Sequence, residues 1–137
     1  IRETVFNWIQ SYVHDADCLD LFAGSGALGI EALSRGARKV IQIEKDAGAC
    51  QSLRANKVQL AAQELEIIEM DVQQYLQREH GVFDLVFLDP PYGDSIPYME
   101  FSMMWNSFFK INVNPIIAGR NIKINLYNKA AISMGSF

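Results

Sequence analysis

The segment that most restricts the fold runs from Cys18 to Gly36, CLDLFAGSGALGIEALSRG. Its opening, Cys18-Leu19-Asp20-Leu21-Phe22, reads as a buried strand, and Gly24-Ser25-Gly26-Ala27-Leu28-Gly29 supplies a G-x-G-x-x-G turn. Ile30 to Arg35 continue as the body of a helix that Gly36 closes. Glycines so placed let the backbone turn sharply and approach a ligand, or simply let the helix pack closely on the strand. A strand, a tight glycine turn and a helix, in that order, begin an α/β fold.

The alternation persists along the chain. Val5, Ile9, Tyr12 and Val13 recur at helical spacing, so a helix from about Arg2 to Val13 leads in, and a polar stretch from His14 to Asp17 separates it from the first strand. Val40 to Ile43 predicts a second strand, Ala47 to about Ala61 a helix, Leu65 to Met70 a third strand, Val72 to Glu79 a helix and Phe83 to Leu88 a fourth strand. Strands that are continuous apolar runs between helices predict a parallel sheet covered on both faces.

The character changes after Tyr92. Six of the eight Asn and four of the five Met fall in residues 94–137, and the charge changes sign: 8 Lys+Arg against 14 Asp+Glu in 1–93, a net of -6, but 4 against 2 in 94–137, a net of +2. Tyr98 to Phe109 fits an apolar helix and Asn121 to Tyr127 a strand. The expected organisation is one domain, with its core in 1–93 and a divergent C-terminal part in 94–137.

A chain of 137 residues that is 50% apolar can bury one core. It contains nothing near the roughly 20 consecutive apolar residues of a membrane span, and IRETVFNWIQ lacks a signal-peptide layout, so a cytoplasmic location and no membrane partner are expected. A start without Met, inside an amphipathic pattern, predicts a piece of a longer chain. Cys18 and Cys50 lie far apart with only His14 and His80 as further ligands, which predicts reduced thiols and no metal site. The net charge of -4 disfavours a strongly basic grip on nucleic acid and leaves such affinity to a segment outside these residues.

Glu44 stands twenty residues beyond Gly24 at the end of the predicted second strand, where a carboxylate accepts hydrogen bonds from both hydroxyls of an adenosine ribose or remains a solvated strand end. Asp20 lies at the mouth of the first strand. There it either faces the cationic amino group of a methionine moiety or ties down the turn through backbone amides. An acid at that point repels the pyrophosphate of a dinucleotide, which favours S-adenosylmethionine. Asp71 either accepts from an adenine amino group or caps the helix that begins at Val72.

Asp89-Pro90-Pro91-Tyr92 follows the apolar run FDLVFL. The two prolines fix the backbone and remove two amide donors. The Asp89 carboxylate and the Pro90 carbonyl are then two acceptors for one amino group. An exocyclic base amine is a poor nucleophile because its lone pair is delocalised into the ring, and paired acceptors free that lone pair while stabilising the positive charge that develops on nitrogen. Tyr92 offers a face on which an extruded base stacks.

With these residues in view, the chain resembles the RsmD-type small-subunit ribosomal RNA (guanine-N2) methyltransferase family. The likeness is carried by IRETVFNW at 1–8, CLDLFAGSGALGIEALSRGA at 18–37, IEKD at 43–46 and FDLVFLDPPY at 83–92. Beyond Asp94 the family's last strands do not align. The resemblance implies a Rossmann-like S-adenosylmethionine methyltransferase fold, a mostly parallel sheet with helices on both faces that has seven strands in the intact protein and is incomplete here. It implies methyl transfer to the N2 amine of a guanine, with ribosomal RNA or the small-subunit particle as partner. Catalytic roles fall on Asp89, Pro90, Pro91 and Tyr92, and cofactor contacts on Asp20, Phe22, Ala23, Gly24, Gly26, Glu44, Lys45, Asp71 and Val72. A DNA adenine-N6 methyltransferase shares the DPPY loop. A cofactor-binding or RNA-assembly module without catalysis is the alternative from another class.

Overall fold

The computed structural model describes residues 2–78 and 83–87, together with three short strands at 115–116, 123–125 and 131–133. The elements, in chain order, are α1 (Arg2–Val13), β1 (Asp17–Asp20), α2 (Ala27–Ser34), β2 (Lys39–Glu44), α3 (Ala47–Gln59), β3 (Leu65–Glu69), α4 (Val72–Gln77), β4 (Leu85–Phe87), β5 (Pro115–Ile116), β6 (Lys123–Asn125) and β7 (Ala131–Ser133). The first five strands form one sheet in the order β3-β2-β1-β4-β5 with every pairing parallel, whereas β6 and β7 pair antiparallel in a separate ribbon. This is a Rossmann-like fold, with its order reversing between β1 and β4.

Strand alternation divides the core in two. Cys18, Val40, Leu65, Leu85 and Phe87 point to one face with Phe6, Ile9 and Val13 of α1 and Ala32 of α2, while Leu19, Ile43 and Val86 point to the other with Val72 and Tyr75 of α4. Successive residues of one strand serve opposite cores because side chains alternate at period two. That is why adjacent apolar pairs such as Cys18-Leu19, Val40-Ile41 and Leu85-Val86 mark these strands, although Asp20, Gln42 and Glu66 interrupt the continuous runs expected.

The face of α1 differs from its predicted stripe. Phe6, Ile9 and Val13 are buried and Tyr12 is 40% exposed. Phe6 meets Phe87 with ring centroids 5.6 Å apart, and the Arg35 guanidinium lies 5.4 Å from the Phe6 centroid. The same guanidinium reaches Glu31 Oε1 at 2.8 Å, Asn7 Oδ1 at 3.0 Å and Gln10 Oε1 at 2.8 Å, so it ties α2 to α1.

The helix ends follow local chemistry. After α2, Gly36 adopts φ +94°, and the Gly36 and Ala37 amides donate to the Leu33 and Ala32 carbonyls at 3.0 Å each, a Schellman closure. After α3, Ala61 takes φ +49°, and the Ala61 and Ala62 amides donate to Val58 and Lys57. This stop carries an alanine where glycine is usual, so α3 ends at Gln59 rather than near Ala61. α4 ends at Gln77 rather than Glu79 because Arg78 is already extended.

β6 falls within the strand predicted over Asn121 to Tyr127, while β5 and β7 carry no periodic signal. The helix predicted over Tyr98 to Phe109 lies outside the described residues, as do Glu79 and Leu88. No helix among the described residues is long and apolar enough to cross a membrane.

Cys18 and Cys50 are both unpaired thiols and both buried. Burial, followed by the fields of Asp84, Asp17 and Asp20, pushes the Cys18 thiol from 9.0 up to about 12. The unfolded chain therefore loses this proton first as pH rises. The resulting stabilisation is complete below pH 9 and is lost as pH rises towards about 12. Thermal melts in that interval are expected to show a falling midpoint, with a shallower slope for Cys18→Ala. Equal slopes would remove Cys18 as the cause.

Candidate functional site

The end of β1 is held to both neighbouring strands before it enters the glycine turn. The Leu21 amide donates to the Phe87 carbonyl at 3.1 Å and the Ala23 amide to the Ile43 carbonyl at 3.0 Å. Regular pairing stops at Asp20 rather than Phe22 because the Phe22 amide turns to Asp20 Oδ1 at 3.4 Å. Asp20 is fully buried, Ala23 is buried and Phe22 is half-buried against the second core.

Gly24 and Gly26 take φ of +54° and +83°, the left-handed region that glycine enters without steric cost. Gly26 is the N-cap of α2 and donates to the Ala23 carbonyl at 2.8 Å. Their surroundings differ. Among the described residues, a Cβ on Gly24 would meet nothing within 4 Å, whereas one on Gly26 would lie 2.5 Å from Leu53 Cδ2 and one on Gly29 would overlap the Gln42 carboxamide. Gly26 and Gly29 thus serve close helix-to-strand packing, and no described residue fills the space beside Gly24.

Glu44, half-buried at the end of β2, bridges two backbone segments. Its Oε1 accepts from the Gly24 amide at 2.9 Å and its Oε2 from the Asp46 amide at 2.9 Å. A carboxylate oxygen has two lone-pair sites, so each can accept a further donor. Asp46 caps α3 by accepting from the Ala49 amide at 2.7 Å, and the intervening Lys45 is exposed.

The Met70 amide donates to the Glu44 carbonyl at 2.9 Å, which brings the end of β3 beside the end of β2. Asp71 follows, exposed, and caps α4 through Oδ1 and the Gln73 amide at 2.9 Å; Val72 is buried beside Tyr75. Asp20, Glu44, Asp46 and Asp71 therefore lie at or just beyond one end of the parallel strands. Such a set favours cations and hydroxyl donors over a pyrophosphate.

The structure gathers Asp20, Phe22, Ala23, Gly24, Gly26, Glu44 and Lys45 at the ends of β1 and β2, with Asp71 and Val72 following β3. Asp89, Pro90, Pro91 and Tyr92 lie outside the described residues. Among the described residues, no group of three His, Cys, Asp or Glu is placed to hold a metal ion.

Gln42 was not singled out from the sequence. It is fully buried on β2, and its Nε2 donates to the Gly26 carbonyl at 3.3 Å. The available signal was a glutamine at a core-facing position, two residues after Val40 and flanked by Ile41 and Ile43.

Comparison with known proteins matches residues 1–107 to the family described as conserved hypothetical protein 95. The ribosomal RNA small subunit methyltransferase D of Haemophilus influenzae is 38% identical over 82% of this chain and 61% of its own length; its Escherichia coli counterpart is 42% identical over 67% and 46%. The chain thus spans about half to three-fifths of the length of these curated relatives. Among solved structures, the E. coli protein yhhF is 28% identical, covering 96% of this chain and 81% of its own, with a TM-score of 0.78. A conserved hypothetical protein of Streptococcus pyogenes superposes with a TM-score of 0.73 at 27% identity, over 97% of this chain and 92% of its own. The match over more than half the chain, together with the glycine-turn block that the sequence carries, makes this chain a member of the conserved hypothetical protein 95 family, the RsmD-type family.

Proposed function

We propose that this chain is the core of an S-adenosylmethionine-dependent methyltransferase acting on the exocyclic N2 amine of a guanine in small-subunit ribosomal RNA. The observation that carries the reading is the pairing of β1 with β4. Asp20 stands opposite Phe87 in that pairing, and Asp89 follows Phe87 by two residues in the chain. The glycine turn and DPPY thus follow, in the chain, two strands that are neighbours at the order reversal of the sheet, where ligands of such sheets bind.

The donor set suits the cofactor. No described residue closes the space beside Gly24, which suits a ligand against the backbone, and the carboxylates at the strand ends suit ribose hydroxyls and an amino-acid cation. S-adenosylmethionine supplies an electrophilic methyl group on a sulfonium. In this reading Glu44 accepts from the ribose, Asp20 faces the amino group, and Asp71 accepts from the adenine amine. Phe22, Ala23, Gly26, Lys45 and Val72 complete the walls and the backbone frame.

Asp89 and the Pro90 carbonyl hold the target amine and stabilise charge on its nitrogen, Pro91 keeps the loop rigid, and Tyr92 stacks on the extruded base, a contact worth about 1 to 3 kcal/mol. Residues 1–93 carry this machinery, and 94–137 complete the same domain. The names of the curated relatives support ribosomal RNA as substrate, and the net charge of -4 means that these residues offer no strongly basic grip on it.

The test is transfer of labelled methyl from S-adenosylmethionine by the full-length protein to small-subunit RNA or particles. Label in guanine N2 is the expected result. Label in DNA adenine would replace this substrate with the DNA one, and cofactor binding without transfer would leave a binding module.

A further inference from the structure

Gln42 stands opposite Asp20 in the parallel pairing of β1 with β2, so both belong to the same face of the sheet, under the glycine turn. Both are fully buried, and among the described residues they are the buried polar or charged side chains. The Gln42 carboxamide fills the room that two glycines leave: it is the nearest neighbour to a Cβ on Gly29 and second nearest on Gly26. Its Nε2 donates to the Gly26 carbonyl at 3.3 Å, the same carbonyl that accepts the Ile30 amide at 3.0 Å as the first bond of α2. Its Oε1 is buried and has no hydrogen-bond partner among the described residues.

An unpartnered buried carbonyl oxygen is destabilising, and replacing a buried polar side chain by an apolar one of similar shape is often neutral or stabilising. The surrounding Leu53, Val40 and Gly29 would receive a leucine or methionine at this position. A glutamine here is therefore poorly explained by stability. What it supplies is a donor fixed on a central strand and aimed at the backbone of the turn that carries Gly24, beside which no described residue lies within 4 Å of a Cβ position.

We propose that Gln42 is a positioning residue for cofactor binding: by holding the Gly26 carbonyl from below, it keeps the turn from Phe22 to Gly26 in its ligand-ready form before any ligand arrives. This rests on the cofactor reading above, but the restraint on the turn is a property of the ligand-free protein. A turn without it must be ordered at the moment of binding, and that cost appears as lost affinity.

The experiment uses Gln42→Leu and Gln42→Met in the full-length protein, with three readouts: melting temperature, amide hydrogen exchange without ligand, and calorimetric affinity for S-adenosylhomocysteine. Both variants are expected to melt at or above the parent temperature. Exchange at the Gly24 and Gly26 amides should rise about tenfold, while that of the β1 and β2 amides stays at the parent rate. Affinity should fall about tenfold.

Turn exchange at the parent rate in a folded variant would overturn the proposal, as would a melting temperature that drops in both variants, since either leaves Gln42 an ordinary packing residue. Unchanged affinity despite faster exchange would overturn the link to binding. If the parent itself does not bind the ligand, the cofactor reading fails, and the exchange data still decide whether Gln42 holds the turn.

Discussion

Replacing Asp89 by alanine is expected to reduce methyl transfer by at least about 10² to 10³-fold while leaving cofactor affinity within a few fold of the parent. The size follows from removing one preorganised acceptor from a charge that develops on the target nitrogen. The separation follows from chain position. Asp89 continues from β4, whereas the residues expected to hold the cofactor continue from β1, β2 and β3. Asp89→Asn sharpens the result, because an amide keeps one acceptor oxygen but loses the negative charge. It should retain more activity than alanine and less than aspartate. Single-turnover rates with S-adenosylmethionine, alongside calorimetry with S-adenosylhomocysteine, measure the two quantities. An Asp89→Ala enzyme with parental turnover would remove the acceptor mechanism, and a parallel collapse of affinity would move Asp89 into the cofactor site.

Much of the sheet was legible because its physics is local. Cys18 and Leu19, Val40 and Ile41, and Leu85 and Val86 are adjacent apolar pairs that serve opposite cores, and such runs mark a strand covered on both sides. Gly36 announced the end of α2 because its left-handed φ excludes most residues, while Ala61 concealed the end of α3 by doing the same work without the usual signal. β5 was not legible: a two-residue strand at Pro115–Ile116 owes its state to pairing with Val86 and Phe87, distant in sequence. The candidate site divides similarly. The spacing of Gly24 and Glu44 pointed to a shared ligand, and the structure adds that the two bond directly to each other. The separate duties of Gly24 and Gly29 depend on what lies opposite each Cβ position, which spacing does not encode. Gln42 was hidden for the same reason. Its place depends on the Gly26 carbonyl above it and on the room left at Gly26 and Gly29, which the sequence does not display.

Glu44→Ala is expected to weaken cofactor binding by about 10 to 100-fold, with a much smaller effect on folding. In the ligand-free protein Glu44 satisfies the Gly24 and Asp46 amides, but both bonds are exposed, so water can take them over when the carboxylate is removed. The ribose hydroxyls have no such substitute once the ligand covers the site. A hydrogen bond to a charged group contributes about 1.5 to 3 kcal/mol, and each 1.4 kcal/mol is about tenfold in affinity. Two variants isolate the effect. Glu44→Gln keeps one acceptor and should recover part of the affinity. Asp46→Ala removes the cap on Ala49, a loss of about 1 kcal/mol in stability, while leaving the Glu44 carboxylate in place, so affinity should stay near the parent value. Calorimetry and thermal melts on the three variants read both quantities. An affinity loss in Asp46→Ala as large as that in Glu44→Ala would mean that the carboxylate acts by bracing the loop. Loss confined to Glu44 would mean that it acts on the ligand, because only then does affinity follow the carboxylate rather than the stability of the turn it spans.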